Sequence, residues 1–418
     1  MYLSANRAAD GAKGVPRPTS GPIGPAGPAV AGNVLVLGLV SLVTDVSAEM
    51  VTAVLPLYLV VGLGMSPLAF GALDGLYQGA TALLRLAGGQ VADRTERHKF
   101  VAGTGYALSA ACKLGLLAVS TPWAVGAVLA ADRAGKGLRT APRDALISLS
   151  ATPEGQGRAF GVHRAMDTAG ALLGPLVAFG VLWVAHDAYE AVFTVSFCVA
   201  AFAVLLLALF VRDVRTRPAR TPAPSGGRGL TTVLRDRGVR RLALAAALLG
   251  VFTVGDSFVY LLLQRRLDLP AAAFPLLPVA TAAGFLLLAV PLGRLADRAG
   301  RGPVFLAGHV ALAAAYLLLL SPLGGAAPAV LVLFLLGAFY AATDGVLMAA
   351  AGPLLPARLR ASGMALVQTA QALARFAGAL LFGAGWTYAG PGVALAGAAI
   401  GLTLSLAAVG VLGKGALR

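Results

Sequence analysis

Gly89-Gln90-Val91-Ala92-Asp93-Arg94-Thr95-Glu96-Arg97 returns as Gly293-Arg294-Leu295-Ala296-Asp297-Arg298-Ala299-Gly300-Arg301, 204 residues further on. A shorter pair, Arg158-Ala159-Phe160-Gly161 and Arg360-Ala361-Ser362-Gly363, repeats at an offset of 202. Two motifs returning at nearly one spacing mark a chain built as two related halves. Each long copy closes an apolar run and each short copy opens one, so the runs are what has been duplicated.

The chain is 58% hydrophobic and only 12% charged. Soluble domains carry about twice that charged fraction. The apolar residues lie in runs of about 20 or more, the length a helix needs to cross hydrocarbon. The predicted spans are 33–60, 67–91, 100–120, 122–147, 159–184, 189–211, 240–263, 272–296, 303–322, 327–351, 362–387 and 391–413. Short alternating segments, the mark of a membrane barrel, are missing. The fold expected is therefore all-α and integral to the membrane, with twelve spans in two pseudo-symmetric bundles of six. The bundles cover 33–211 and 240–413, with a disordered tail at 1–32, a basic linker at 212–239 and a short tail at 414–418.

The net charge of +15 has an address. The links 92–99, 148–158, 212–239, 297–302 and 354–361 all carry Arg or Lys. The opposite links, 61–66, 121, 185–190, 264–271, 321–326 and 388–390, carry almost none, Arg265 and Arg266 excepted. That alternation is the positive-inside rule, and it places both termini in the cytoplasm of a cell whose inner membrane holds the chain. It accounts for the basic charge without nucleic acid. The linker's arginines read as a solvated connector that touches anionic lipid. Cys112 and Cys198 fall inside apolar runs, and the four histidines are scattered, so no disulfide framework, metal or cofactor is expected.

The repeated Gly-x-x-x-Asp-Arg-x-Gly-Arg resembles the signature loop of the major facilitator superfamily, and the resemblance covers essentially 33–413. The second copy is complete, whereas the first has Glu96 where Gly is usual. Arg133-Ala134-Gly135-Lys136-Gly137 resembles the family's fourth-helix motif, with Lys for Gln. Gly170-Ala171-Leu172-Leu173-Gly174-Pro175 resembles a fifth-helix motif of proton-exchanging exporters, a pattern that small-residue packing also produces. The resemblance implies two bundles rocking about a central cavity. It also implies that Gly89, Asp93, Arg94 and Arg97 latch the loop against the eleventh span. Gly293, Asp297, Arg298 and Arg301 would do the same against the fifth.

Charge inside a membrane needs a partner or a purpose, since it costs about 2.5–3.5 kcal/mol at the centre of a span. Asp45 and Glu49 share a face of the first span, and Asp74 lies in the second; all three are candidates for proton coupling. The competing reading pairs each with a base such as Lys113. Arg133, Lys136, Arg139 and Arg143 fall within an arc of about 120° on the fourth span. Arg133 and Lys136 either meet the substrate or neutralise nearby acids. Arg139, Arg143 and Asp144 are placed as partners of the signature loop. His163 and Asp167 stand four apart in the fifth span and can pair, the histidine serving as a proton relay or as packing. Asp256 and Asp344 complete the expected substrate cavity.

These features describe a secondary transporter of a small molecule. No Walker motif is present, so ATP does not drive it directly. Protons are the expected coupling ion, export by antiport leads over proton-coupled uptake, and a monomer is expected to suffice. A non-transporting sensor and an intramembrane enzyme are the remote alternatives, and no nucleophile and base with recognisable spacing supports the second.

Overall fold

The structure is a computed structural model that describes residues 32–75, 97–152, 155–185, 188–213, 237–343 and 360–412. Among these residues there is no strand. Hydrocarbon leaves backbone groups no water to bond with, so the apolar runs must satisfy them internally as helices. They are α1 (Gly32–Leu57, continued by a π turn at Tyr58–Gly62), α2 (67–75), α3 (His98–Ala118), α4 (Pro122–Leu149), α5 (Gln156–Val184) and α6 (Tyr189–Phe210) in the first half. The second half has α7 (Arg237–Val251), α8 (Asp256–Leu267), α9 (Leu276–Ala299), α10 (Arg301–Leu320), α11 (Ala326–Thr343), α12 (Arg360–Ala389) and α13 (Pro391–Leu412).

Nine stretches among the described residues are long and apolar enough to cross a membrane. Two more helices have the length but less apolarity. α4 carries six charges between Asp132 and Asp144, and α12 carries Gln368, Gln371 and Arg375. The second span is described only over its first part, 67–75. Large apolar side chains point outward along most helices, among them Phe202, Leu287, Leu317 and Leu404, a surface that only lipid covers without cost. Trp123, Trp183 and Tyr388 stand exposed at helix ends beside the cation-poor links, where interfacial aromatics belong.

The duplication is visible in the packing. α1 packs on α5, and its counterpart α7 packs on α12. α3 packs on α4 and α6, as α10 packs on α11 and α13. The halves meet through α1 with α8, and α5 with α9.

One predicted span is not continuous. The seventh, expected over 240–263, breaks at 252–255 between α7 and α8. The Tyr316 hydroxyl of α10 accepts from the Val254 N–H at 2.7 Å and donates to the Phe252 carbonyl at 3.3 Å. A buried tyrosine thus replaces the helix bonds that the break gives up.

Two sequence anomalies find physical reasons. Arg265 and Arg266 broke the charge rule. The Arg266 guanidinium donates to the carbonyls of Leu318, Leu319, Ser321 and Leu323, capping the end of α10, and Arg265 lies 5.1 Å from the Trp386 ring centre. Gly300 joins α9 to α10 at φ +95°, a conformation that strains any L side chain. That is why the complete signature has Gly there. Glu96, at the matching place in the first copy, lies outside the described residues.

Candidate functional site

The charges of the first half form a ladder along α4. Lys113 of α3 bonds Asp132 at 2.9 Å, and Arg133 stands 3.6 Å from the same carboxylate. Arg139 lies 4.0 Å from Asp45 of α1 and 4.7 Å from the Tyr106 ring centre. Arg143 reaches Asp144 at 3.0 Å, Asp167 of α5 at 3.7 Å and the Ser41 hydroxyl at 3.3 Å. Arg164 adds a 3.4 Å contact to Asp167. Lys136 stands half-buried within electrostatic reach of Glu49 and Asp45.

Several expectations change here. Lys113 does not serve Asp45, Glu49 or Asp74; its partner is Asp132, an acid the sequence reading passed over although it stands beside Arg133 in the same span. His163 is buried, but neither ring nitrogen has a hydrogen-bond partner among the described residues, and Asp167 is engaged by the two arginines instead. The contacts of Arg139 and Arg143 to other helices lie in α1, α3 and α5. Of the first signature loop, Gly89, Asp93 and Arg94 lie outside the described residues, and Arg97 is the residue before α3. In the second loop Asp297 and Arg298 are exposed and form no ion pair among the described residues. Gly293 has open space where a side chain would stand, and Arg301 begins α10. Gly170 and Gly174 have a packing role: a side chain at Gly174 would meet the Val46 carbonyl and the Glu49 Cβ at 2.7 Å, and one at Gly170 would strike the Leu42 backbone.

Where the halves face each other there is a cavity of about 380 Å³. α1, α2 and α5 supply Glu49, Thr52, Asp74 and Pro175. The broken span supplies Thr253, Gly255 and Asp256, and α11 and α12 supply Tyr340, Gln371 and Arg375. Tyr340 donates to Asp256 at 2.7 Å. Asp74 reaches across from the first half until its Oδ2 lies 3.1 Å from where a Gly255 Cβ would stand. The carboxylate therefore sits at the start of α8, the electropositive end of that helix. A side chain at Gly255 would press on that carboxylate.

Of the residues expected in the substrate cavity, Asp256 lines it, and it is joined there by Glu49 and Asp74, expected as proton-coupling acids, and by Pro175 of the fifth-helix motif. Arg133, Lys136, His163 and Asp167 do not line it; Arg133, Lys136 and Asp167 belong to the α4 ladder. Asp344 lies outside the described residues. Arg375, Gln371 and Tyr340 were missed. Arg375 carried a signal, being a lone cation in the middle of the eleventh span, the same kind of feature that drew attention to Asp45.

At the end of the cavity toward the cation-poor links, α2 and α12 pack almost backbone to backbone. A side chain at Gly383 would lie 2.5 Å from the Pro67 carbonyl, and the Leu68 N–H donates to the Thr387 hydroxyl at 3.0 Å. Phe70, Phe382 and Trp386 close around Phe258, with ring centres 5.1, 4.9 and 5.8 Å from it. This aromatic plug stands between the cavity and that face of the bundle.

Comparison with known proteins gives one consistent answer. The family model described as Major Facilitator Superfamily matches residues 37–379. An uncharacterised MFS-type transporter of the archaeon Methanocaldococcus jannaschii is 28% identical over 368 residues, covering 85% of this chain and 88% of that one. Among solved structures, the nucleoside transporter NupG superimposes with a TM-score of 0.77 at 15% identity, covering 92% of this chain and 99% of its own. A bacterial homologue of the human lysosomal transporter Spinster, inward-facing and occupied, gives 0.72 at 15% identity, covering 91% and 96%. At such identities these structures show the fold alone.

Proposed function

This chain belongs to the major facilitator superfamily of membrane transporters, and from that premise we propose that it is a proton-coupled antiporter that exports a small molecule by alternating access. The observation that carries the reading is the cavity between the halves, with Glu49 and Asp74 on one wall and Asp256 and Arg375 on the other. A substrate's cationic group and a proton compete for the same carboxylates. Protonation from one side then releases the substrate, which is what exchange requires.

The aromatic plug supports an inward-open resting state, given the positive-inside orientation with both termini cytoplasmic. Rocking the bundles would part α2 from α12 and bring the second signature loop to α5. One chain holds both walls of the cavity, so a monomer in the inner membrane suffices.

The test uses proteoliposomes with a lumenal pH probe and no initial gradient. Cations, anions, zwitterions and neutral compounds are added outside in turn. Alkalinisation on addition of a compound is the expected result. Acidification would make the protein a symporter. Entry of labelled compound without any pH change would remove proton coupling from the account. No flux from any compound would remove the transporter reading of the cavity.

A further inference from the structure

We infer that the molecule carried in this cavity is a small amphipathic zwitterion, its cationic end held by Asp74 and Glu49 of the first half and its anionic end by Arg375 of the second. The inference rests on the reading of the cavity as the transport site and names what enters it.

Among the described residues no carboxylate lies within ion-pair distance of Arg375, and its Nε is buried without a hydrogen-bond partner. Asp256, on the same wall of the cavity, accepts a hydrogen bond from the Tyr340 hydroxyl. Asp74, too, has no cation within ion-pair distance among the described residues; its neighbour is the start of α8 at Gly255. An unpaired charge inside a membrane protein is expensive and marks a ligand's place more often than a packing role. Here charges of both signs that form no ion pair among the described residues stand in one cavity, on opposite halves.

Each simpler class conflicts with this arrangement. A plain cation would have to sit beside the Arg375 guanidinium. A plain anion would face the carboxylates of Glu49, Asp74 and Asp256. A molecule with both charges satisfies the two walls together, and the planar guanidinium fits a carboxylate by two parallel hydrogen bonds. Between them Ala53, Pro56, Pro278, Phe376 and Ala379 stand beside Thr52, Thr253, Ser257 and Gln371, so the body between the charges meets apolar as well as polar ground. The volume of about 380 Å³ is at the small end for ligand cavities. Because the two charged contacts lie on different bundles, such a ligand also ties the halves together as it binds.

The test measures binding to the purified full chain with four probes that share one body. Phenylalanine and alanyl-phenylalanine carry both charges, phenylalanine amide only the positive, and N-acetylphenylalanine only the negative. At least one zwitterion should bind tenfold or more tighter than either singly charged probe. Losing a charge-assisted hydrogen bond costs about 10- to 100-fold in affinity. Arg375→Gln should weaken zwitterion binding by that factor and leave the amide unchanged or tighter, with Arg375→Lys intermediate. Asp74→Asn should do the mirror image, sparing the acetyl derivative. Opposite patterns in the two variants cannot come from misfolding. Silence of both zwitterions, or an amide that binds as tightly as they do with Arg375→Gln indifferent, overturns the inference. Either result leaves the transporter reading to the flux assay, which fails only if no compound of any class moves.

Discussion

The α4 ladder and the central cavity both place charge inside the membrane, yet they differ in how that charge is used. In the ladder, Lys113 with Asp132, Arg139 with Asp45, and Arg143 with Asp144 and Asp167 all find partners. In the cavity, Arg375 and Asp74 find none among the described residues. Paired charge is already neutralised by the protein and holds helices in register. Unpaired charge on facing walls is neutralised only when something enters. The density of ionisable residues is therefore a poor guide to the site, since the more crowded half of α4 is the structural one.

The sharpest way to break this comparison is to remove one side of a ladder pair. Asp132→Asn strands Lys113, which is 3% exposed, and should destabilise the chain by about 3–5 kcal/mol. Thermal unfolding in detergent measures it. The double change Lys113→Met with Asp132→Leu should recover most of that loss, because an apolar pair replaces a buried ion pair at little cost. If the single change is silent, the ladder is not structural.

A smaller effect is expected where α1 and α5 touch. Gly174→Val forces a side chain against the Val46 carbonyl and should cost about 1–3 kcal/mol by overpacking. Lowered melting with the substrate profile unchanged among surviving molecules would fix the Gly170–Gly174 pattern as packing. A changed proton stoichiometry at normal stability would return it to coupling.

Tyr316→Phe removes the hydroxyl that bonds the broken seventh span at Val254 and Phe252. Leaving those groups unsatisfied should cost about 1–3 kcal/mol, read from the same melts. Hydrogen exchange should quicken at 252–255 specifically. The smallest stability effect belongs to the cavity. Arg375→Gln should melt at or above the parent, since it removes an intramembrane charge and breaks no ion pair among the described residues, and Asp74→Asn should lose no more than about 0.3–1 kcal/mol of its interaction with the start of α8.

Much of the fold was legible because the physics behind it is one-dimensional. Span length, link charge and the 204-residue repeat are written along the chain. The bounds of α4, α6 and α13 fall within two residues of expectation. The break at 252–255 was not legible, since the tyrosine that permits it comes from a helix some 60 residues on. The site was legible residue by residue but not as a grouping. Glu49, Asp74 and Asp256 stand out as intramembrane acids, whereas which base each acid meets is decided by helix rotation and tilt. Lys113 is the example: nothing in its spacing separates Asp132 from Asp45 as a partner. The Glu96 substitution in the first signature loop likewise gains meaning only from the positive φ of Gly300.

Exchange is proposed to run through Asp74 of the cavity, which has no cation within ion-pair distance among the described residues, and not through the ladder. Lumenal pH in proteoliposomes tests it most directly, comparing the parent with Asp74→Asn once both are shown to melt together. The account predicts alkalinisation when substrate is added to the parent, and substrate-independent, flat pH in the variant. A response of parental size in Asp74→Asn would contradict it.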